Sequence, residues 1–343
     1  MKILFTSHSF HPSLGGIETV SDILARYFVS AGHSVRLITQ AIGDAETHKQ
    51  LYPFSVVRKP SCSELVDCYR WADIIFQNNI EVRQLWPLLF LRRPCVISLH
   101  TWVRSIDGQR GWRHRLKLLA LRRADRLIAC SNAIRLDTES RAMVIGNPYN
   151  DGMFRRLSHV ARRHAIVFLG RLVSDKGADM LVQAFAALQP TDWTLTMIGL
   201  GPELPRLQAL VAELGVNNSV HFLGALQGES LAEVLNQHEI LVVPSRWREP
   251  FGIVVLEGLA CGCVVLTSDG GGLPDAVGPA GVLFRRGEQA DLNAKLSQLV
   301  ADVALRKELR SRADTHLQAF HHEVVCERYL ALIQQTFNRF HKS

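Results

Sequence analysis

Apolar positions fall into short runs separated by longer amphipathic stretches. Lys2 to Thr6 reads as a strand, and Gly15-Gly16 opens a helical pattern from about Ile17 to Ala31 that Gly32 ends. Val35 to Thr39, Val56-Val57, Ile74 to Gln77, Cys95 to His100, Arg126 to Ser131 and Met143 to Ile145 follow as strands. Strands alternating with helical patterns predict βαβ units, hence a parallel sheet covered by helices on both faces. A turn-forming break, Gly146-Asn147-Pro148-Tyr149-Asn150-Asp151-Gly152, becomes basic through His164 and reads as an interdomain linker.

The alternation then restarts. Ala165 to Leu169, Thr194 to Ile198, Val220 to Leu223, Ile240 to Val243, Val264 to Thr267 and Gly281 to Phe284 are strands, with helices such as Ala178 to Leu188 and Glu203 to Leu214 between them. The expectation is an α/β protein of two Rossmann-like doubly wound domains facing a cleft, ligands lying beyond the carboxyl ends of the strands. Residues 1–150 form the first domain and 151–323 the second. Residues from about 324 to 343 form a last amphipathic helix.

Composition narrows the partners. The chain has 343 residues, enough for two domains with substantial cores. Its net charge of +7 favours anionic partners: nucleotides, nucleic acid or an acidic membrane surface. No secretory leader is expected, because Thr6, Ser7 and His8 stop the first apolar run early. No stretch reaches the roughly 18 apolar residues of a spanning helix. The seven cysteines lack paired spacing, so they are expected to be reduced and the chain cytoplasmic. Cys261 and Cys263 flank a glycine and are read as packing residues rather than metal ligands.

The chemistry concentrates in P-S-R-W-R-E-P-F-G-I-V-V-L-E-G-L-A-C-G, Pro244 to Gly262. Pro250 pre-sets a turn between strand and helix, and Gly252 admits a ligand close to the backbone. The amides of Phe251, Gly252, Ile253 and Val254 fall at the helix start, free for an anion. Glu249 precedes the helix and Glu257 lies inside it. Acceptors on both sides of an anion cradle suit a ligand with phosphate in the middle and hydroxyls at its ends, the layout of a nucleotide-sugar. Two solvated glutamates flanking a turn would be the plainer reading.

Other groups gather at strand ends. Gly15 and Gly16 can bring backbone N–H groups to phosphate oxygens. His100 ends C-V-I-S-L-H, where a histidine is either structural or cleft-facing. In F-L-G-R-L-V-S-D-K-G, Arg171 offers a planar fork and Lys176 a mobile charge, together able to neutralise a diphosphate; such a pair can also be a solvated surface feature. Ile198-Gly199-Leu200-Gly201-Pro202 starts a dinucleotide fingerprint, but Leu204 holds the third glycine's place, which argues against a nicotinamide site. Gly270 to Gly272 give another tight loop. The segment Arg104 to Arg126 carries eight arginines and lysines against Asp107 and Asp125. It is either a solvated helix face or a surface resting on anionic lipid. Nucleic acid is disfavoured, since its aromatics are not interleaved for stacking.

Together these motifs, in this order, resemble glycosyltransferase family 4: the glycine loop, His100, the G-R-L-x-x-x-K-G turn and the E-x7-E pair Glu249 and Glu257. The resemblance covers nearly the whole chain and implies the GT-B fold, with the last helix returning to the acceptor-side first domain. It also implies retaining transfer from a nucleotide-sugar, UDP being the common donor nucleotide, to a glycan or lipid-linked acceptor in cell-surface or extracellular polysaccharide assembly; a lipid-resting surface at Arg104 to Arg126 would place the chain peripherally on the inner face of the membrane. By resemblance Glu249 and His100 contact the donor sugar, Glu257 holds the ribose and Gly16 lies beneath the diphosphate. Gly199 and Gly201 lie near base and ribose, and Arg171 with Lys176 stabilises the leaving group. No cofactor is implied. The chain has no D-x-D triplet of the kind that holds a metal in the other main glycosyltransferase fold, so no metal is expected. Asp275 replaces the usual glutamate after Pro274, and G-N-P-Y-N replaces the usual N-G-V-D at the linker. A sugar-nucleotide epimerase of the same fold and a non-catalytic nucleotide-sugar sensor are the alternative functions. Acceptor choice is expected in Gly43 to Gln50 and Trp102 to Gly111.

Overall fold

The computed structural model describes residues 1–12, 15–43, 52–104, 112–138, 141–189 and 192–342. The chain divides into two compact units, Met1–Pro148 with His322–Ser343, and Tyr149–His321.

The first unit is built on a parallel sheet in the order β3-β2-β1-β4-β5-β6-β7. Its strands are β1 (Lys2–Ser7), β2 (Ser34–Thr39), β3 (Ser55–Arg58), β4 (Ile74–Asn78), β5 (Cys95–Leu99), β6 (Arg126–Ala129) and β7 (Met143–Val144). Helices α1 (Gly16–Ser30), α2 (Cys62–Trp71), α3 (Trp112–Arg122) and α4 (Asn132–Asp137) connect them. Ile3, Leu4, Phe5, Ile74, Ile75 and Phe76 have no exposed surface, as a parallel sheet covered on both faces requires. Phe5 meets Phe76 edge-on at 4.9 Å between ring centroids and Phe28 of α1 at 6.2 Å. Asn78 Nδ2 donates to Ser21 Oγ (2.7 Å), and Ser21 Oγ meets Ser7 Oγ (3.0 Å), which ties the carboxyl ends of β1 and β4 to α1.

Apolar periodicity does not predict α2. Its signal is a capping box: the Ser61 hydroxyl takes the Glu64 N–H (3.3 Å) and the Glu64 carboxylate takes the Ser61 N–H (2.9 Å). His100 lies just past β5 rather than in it.

The second unit holds β8 (Arg163–Leu169), β9 (Thr194–Ile198), β10 (Val220–Gly224), β11 (His238–Val243), β12 (Val264–Ser268) and β13 (Gly281–Phe284). The sheet is parallel in the order β10-β9-β8-β11-β12-β13, so strand order reverses between β8 and β11. Helices α5 (Ala178–Ala187), α6 (Leu204–Glu213), α7 (Gly228–Gln237), α8 (Ile253–Ala260), α9 (Leu273–Val277), α10 (Gln289–Ala301) and α11 (Val303–Leu317) cover it. Its core includes Ile166, Phe168, Leu181, Phe185, Leu195, Ile240, Val242, Val264, Leu266 and Phe284. Arg163 and His164, expected in the linker, begin β8 instead. The last helix, α12 (His322–Lys342), packs in the first unit on α1, β4 and β5, with Tyr329 edge-on to Phe76.

One backbone contact sets the loop geometry of the second unit. Gly177 adopts a left-handed conformation (φ 67°), and a Cβ there would overlap the Pro244 carbonyl oxygen. Gly215 has nearly the same φ (69°) with nothing within 4 Å of the added carbon. Gly215→Ala should therefore cost only the left-handed strain, about 1 kcal/mol. Gly177→Ala should cost at least about 2 kcal/mol, because the Pro244 loop must also move. Urea unfolding of the two variants checks this; equal losses would mean that the contact with Pro244 carries no weight.

Candidate functional site

In the second unit the loops after β8, β9, β11 and β12 meet at the carboxyl edge of the sheet. Gly170 N–H donates to Ile198 O (3.0 Å), Leu172 N–H to Leu200 O (2.9 Å) and Glu203 N–H to Leu172 O (3.0 Å). Cβ atoms at Gly199 and Gly201 would overlap the carbonyl oxygens of Gly170 and Leu172. Both glycines therefore first let the β9 loop lie on the β8 loop. Arg171 sits between the pinned residues Gly170 and Leu172. Its side chain is exposed and enters no hydrogen bond or ion pair among the described residues.

Lys176, by contrast, has a partner. It closes the helical turn Ser174–Lys176, and its Nζ pairs with Glu249 Oε1, which also accepts from Ser245 Oγ (2.8 Å). The two residues expected to act separately thus form one unit, and Glu249 Oε2 takes neither of these bonds. Arg246 and Trp247 donate backbone N–H groups to Asp175 O (2.8 and 3.0 Å). The Arg246 guanidinium grips both Asp179 oxygens (2.6 and 2.9 Å). Burial alone would raise the Asp179 carboxyl, but the Arg246 hydrogen bond and charge, with nearby backbone amides, hold it below its ordinary value. Sequence reading missed Ser245, Arg246 and Asp179; no local spacing marks a pair 67 positions apart.

Glu249 is also fixed through its backbone. It forms a bridge with Gly271, and its carbonyl takes the Gly272 N–H (2.7 Å). Gly271 is left-handed (φ 71°), and a Cβ there would overlap that carbonyl oxygen. The Gly270 to Gly272 loop is therefore the seat of Glu249.

Gly252 (φ 108°) precedes α8, and the first bond of the helix runs from Val255 N–H to Gly252 O (3.0 Å). The amides of Phe251, Gly252, Ile253 and Val254 lie ahead of it, where helix geometry leaves N–H groups open. The Phe251 ring is buried and packs against Phe320 (5.7 Å), so only its backbone is available. Glu257 lies one turn into α8, half-buried, and accepts no side-chain hydrogen bond among the described residues. Desolvation pushes its carboxyl up to about 7.

The first unit carries the other expected groups. Gly15 is extended, and its carbonyl takes the Thr19 N–H (3.1 Å) at the start of α1. Gly16 is the first residue of that helix. Glu18 turns its carboxylate back toward Gly15, 2.7 Å from where a Cβ would stand, and so places a negative charge beside these amides. Ser13 and Leu14 of the same loop lie outside the described residues.

His100 is 5% exposed. Its Nε2 bonds Ser98 Oγ (2.8 Å), which meets the Tyr329 hydroxyl (3.0 Å) on α12. Its N–H donates to Asn79 Oδ1 (3.3 Å), which also takes the Thr101 hydroxyl (3.1 Å). Burial pushes the imidazole down to about 4, so it is neutral at pH 7. Asn147 lies near enough to oppose that shift but outside hydrogen-bonding geometry, and Nδ1 has no partner among the described residues. Ser98 could have been found in the sequence: it stands two before His100 at the end of a strand, on the same face.

Of the expected basic surface, Arg104 is tied to Asp137, with the ion pair at 3.8 Å and the backbone N–H at 3.0 Å. Residues 105–111, and with them most of one expected acceptor loop, lie outside the described residues, as do 44–50 and the side chains of 112–115.

Linkage fixes the pH dependence. The Glu257 carboxyl is raised from 4.5 to about 7, so the folded state holds a proton that the unfolded chain releases. That contribution is complete below about 4.5 and is lost as pH rises through about 7. His100 works in the opposite sense: its value falls from 6.5 to about 4, so stability is lost as pH drops through that interval. Glu257→Gln should therefore raise the urea midpoint at pH 8 and change it little near pH 4.5. An equal shift at both pH values would mean that the Glu257 proton is not linked to folding.

Two family models match the chain: Glycosyl transferases group 1 over residues 152–316, and Glycosyltransferase Family 4 over residues 14–148. The D-inositol 3-phosphate glycosyltransferase of Corynebacterium jeikeium is 37% identical over 177 residues, 48% of this chain and 42% of that protein. The enzyme of the same name from Stackebrandtia nassauensis is 37% identical over 166 residues, 45% of this chain and 37% of that protein. The chain spans less than half the length of these curated relatives. Among solved structures, Anabaena HepE in complex with UDP and glucose has a TM-score of 0.83 at 22% identity, over 98% of this chain and 100% of that one. The sucrose-phosphate synthase of Thermosynechococcus elongatus has a TM-score of 0.80 at 22% identity, over 98% and 99%. The fold is that of these GT-B proteins.

Proposed function

The chain belongs to glycosyltransferase family 4, and from that membership we propose that it transfers a sugar from a nucleotide-sugar, with UDP as the nucleotide, to a glycan or lipid-linked acceptor. One observation carries the reading. Glu249, held through Oε1 by Lys176 and Ser245, stands beside the open amides of α8, with Glu257 one turn further on. That arrangement provides an acceptor for a sugar hydroxyl, donors for a diphosphate and an acceptor for ribose hydroxyls, in that order along the chain. UDP as the nucleotide agrees with the UDP complex of Anabaena HepE.

The transfer is read as follows. The bond from the sugar's anomeric carbon to the diphosphate oxygen breaks, and a bond to an acceptor hydroxyl oxygen forms on the same face, so the configuration is retained. The acceptor's proton leaves with the phosphate. Charge growing on the diphosphate meets the N-terminal amides of α8 and the unpaired guanidinium of Arg171. Lys176 acts differently from Arg171: its charge is shared with Glu249, so it orients that carboxylate and leaves Oε2 for the sugar. These groups belong to the protein, and the reaction is proposed to run without metal. Gly15, Gly16 and His100 take their proposed roles from the family resemblance. By that resemblance His100, buried and neutral here, would contact the donor sugar. Gly199 and Gly201 bring the β9 loop toward the nucleoside. The proposed setting is cell-surface or extracellular polysaccharide assembly, with the protein peripheral on the inner membrane face. No described helix is long and apolar enough to cross a membrane.

The test is nucleotide release from UDP-, GDP- and ADP-sugars with EDTA present, with and without a lipid-linked acceptor fraction. Release from one donor that rises with acceptor supports metal-free transfer. Donor isomerisation without acceptor would make the protein an epimerase, and donor binding without release in either condition would make it a sensor. Arg171→Ala should lower turnover by about 100-fold, the scale of losing one transition-state donor, while UDP affinity falls only a few-fold. Equal losses would remove Arg171 from leaving-group stabilisation. For Glu257→Ala the expected result is weaker UDP binding by titration calorimetry, and unchanged affinity would take the residue out of the ribose site.

A further inference from the structure

A pocket of about 380 Å³ in the first unit is lined by Arg92, Arg93, Arg123, Arg126 and Arg339, with Asp125 the one carboxylate among its lining residues. It lies between the segment after the turn Trp86–Leu89, the end of α3 and the last turns of α12. Asp125 is already engaged, since its carboxylate takes the Cys95 N–H (2.8 Å). None of the five arginines enters an ion pair among the described residues. Arg93 donates to the carbonyl of Arg70 (3.1 Å), Arg126 to that of Asp125 (3.0 Å), and Arg92 lies over the Phe340 ring (5.4 Å). Carbonyls and a ring face hold guanidinium groups in place without cancelling their charge. Five like charges around one pocket are a site for an anion, and planar guanidinium forks match phosphate oxygens.

The neighbouring surface says what carries the phosphate. Leu88 and Leu91 line the same pocket. Between them Leu89 is 61% and Phe90 80% exposed. Leu119 on α3, 60% exposed, stands one turn ahead of Arg123. Exposed leucine and phenylalanine beside unpaired arginines are of no use to a soluble phosphate, but they suit the boundary between headgroups and acyl chains.

We propose that this face docks on a membrane containing anionic phospholipid, with a phosphate headgroup in the arginine pocket and Leu89 and Phe90 at the acyl boundary. It takes Arg123 and Arg126 from the basic segment Arg104 to Arg126 read from the sequence and joins them to Arg92, Arg93 and Arg339. Three stretches far apart in the chain build it, and its apolar tip lies outside that segment. It names the lipid partner of a peripheral enzyme, yet it does not rest on sugar transfer, because membrane binding is measured without donor or acceptor.

The test is flotation of the full chain with phosphatidylcholine vesicles, with and without phosphatidylglycerol. Binding is expected only with phosphatidylglycerol and should fall as salt is raised. Arg123→Glu with Arg339→Glu should weaken it by about 25-fold or more, at about five-fold for each charge lost. Phe90→Ser should weaken it by about tenfold, the scale of exposing one phenylalanine. Unchanged urea midpoints would show that both variants fold. Equal binding to neutral vesicles would overturn the proposal, as would full binding by the charge-reversal variant. If inorganic pyrophosphate displaces the vesicles and Phe90→Ser binds as well as the parent, the pocket is a soluble-anion site and the lipid proposal fails.

Discussion

The loops at the carboxyl edge of the second sheet lie on one another's backbone, and what is proposed for the residues of the second unit depends on that contact. The β9 loop reaches the β8 loop at Gly199 and Gly201, the β8 turn reaches the β11 loop at Gly177, and the β12 loop reaches Glu249 at Gly271. Each approach is closer than any side chain permits. The glycines therefore act before any ligand arrives: they bring Arg171, Lys176, Glu249 and the start of α8 together within a few loops of one edge. A role for Gly199 and Gly201 near base and ribose must be added to this structural duty rather than replace it.

With the loops fixed, charge is distributed unevenly. Lys176 and Glu249 neutralise each other, so the pair adds direction more than net charge to the site. Arg171 stays exposed to solvent, where the proposed diphosphate would be its counter-ion. Glu257 goes the other way, its carboxyl raised to about 7 by desolvation, with no side-chain hydrogen bond from the described residues. A ligand hydroxyl donating to it would favour the charged form and lower that value, so donor binding and the ionisation of Glu257 should be coupled.

Much of this was legible in the sequence, for reasons that can be named. Alternating apolar runs gave both parallel sheets, because a strand buried on two faces must be apolar throughout. The segment Pro244 to Gly262 announced a strand, a proline-set turn and a helix start, and local chemistry of that kind is written in consecutive residues. Illegible features were those that the tertiary fold creates. Lys176 meets Glu249 across 73 positions, and Ser98 meets Tyr329 across 231. The arginine pocket draws on residues near 92, 123 and 339. Periodicity predicts which face of an element is buried, but not which distant element supplies the partner. The missed helix α2 is a different case: its Ser61-x-x-Glu64 box was local and readable.

The last helix shows how one late element can serve two regions of the first unit. Tyr329, with no exposed surface, pairs its hydroxyl with Ser98 Oγ and so fixes the hydrogen-bond partner of His100 Nε2. Ten residues on, Arg339 and Phe340 line the arginine pocket. A straight helix places these positions about 15 Å apart along its axis. Tyr329 is locked between Phe76 and Ser98, whereas Arg339 reaches solvent. The buried end therefore sets the axial position of the exposed end, and an anchor made for the histidine also positions a cation at the pocket. Loss of the tyrosine hydroxyl would be felt first at His100, because the edge-on packing against Phe76 needs only the ring. Shifting the helix itself would require removing that ring.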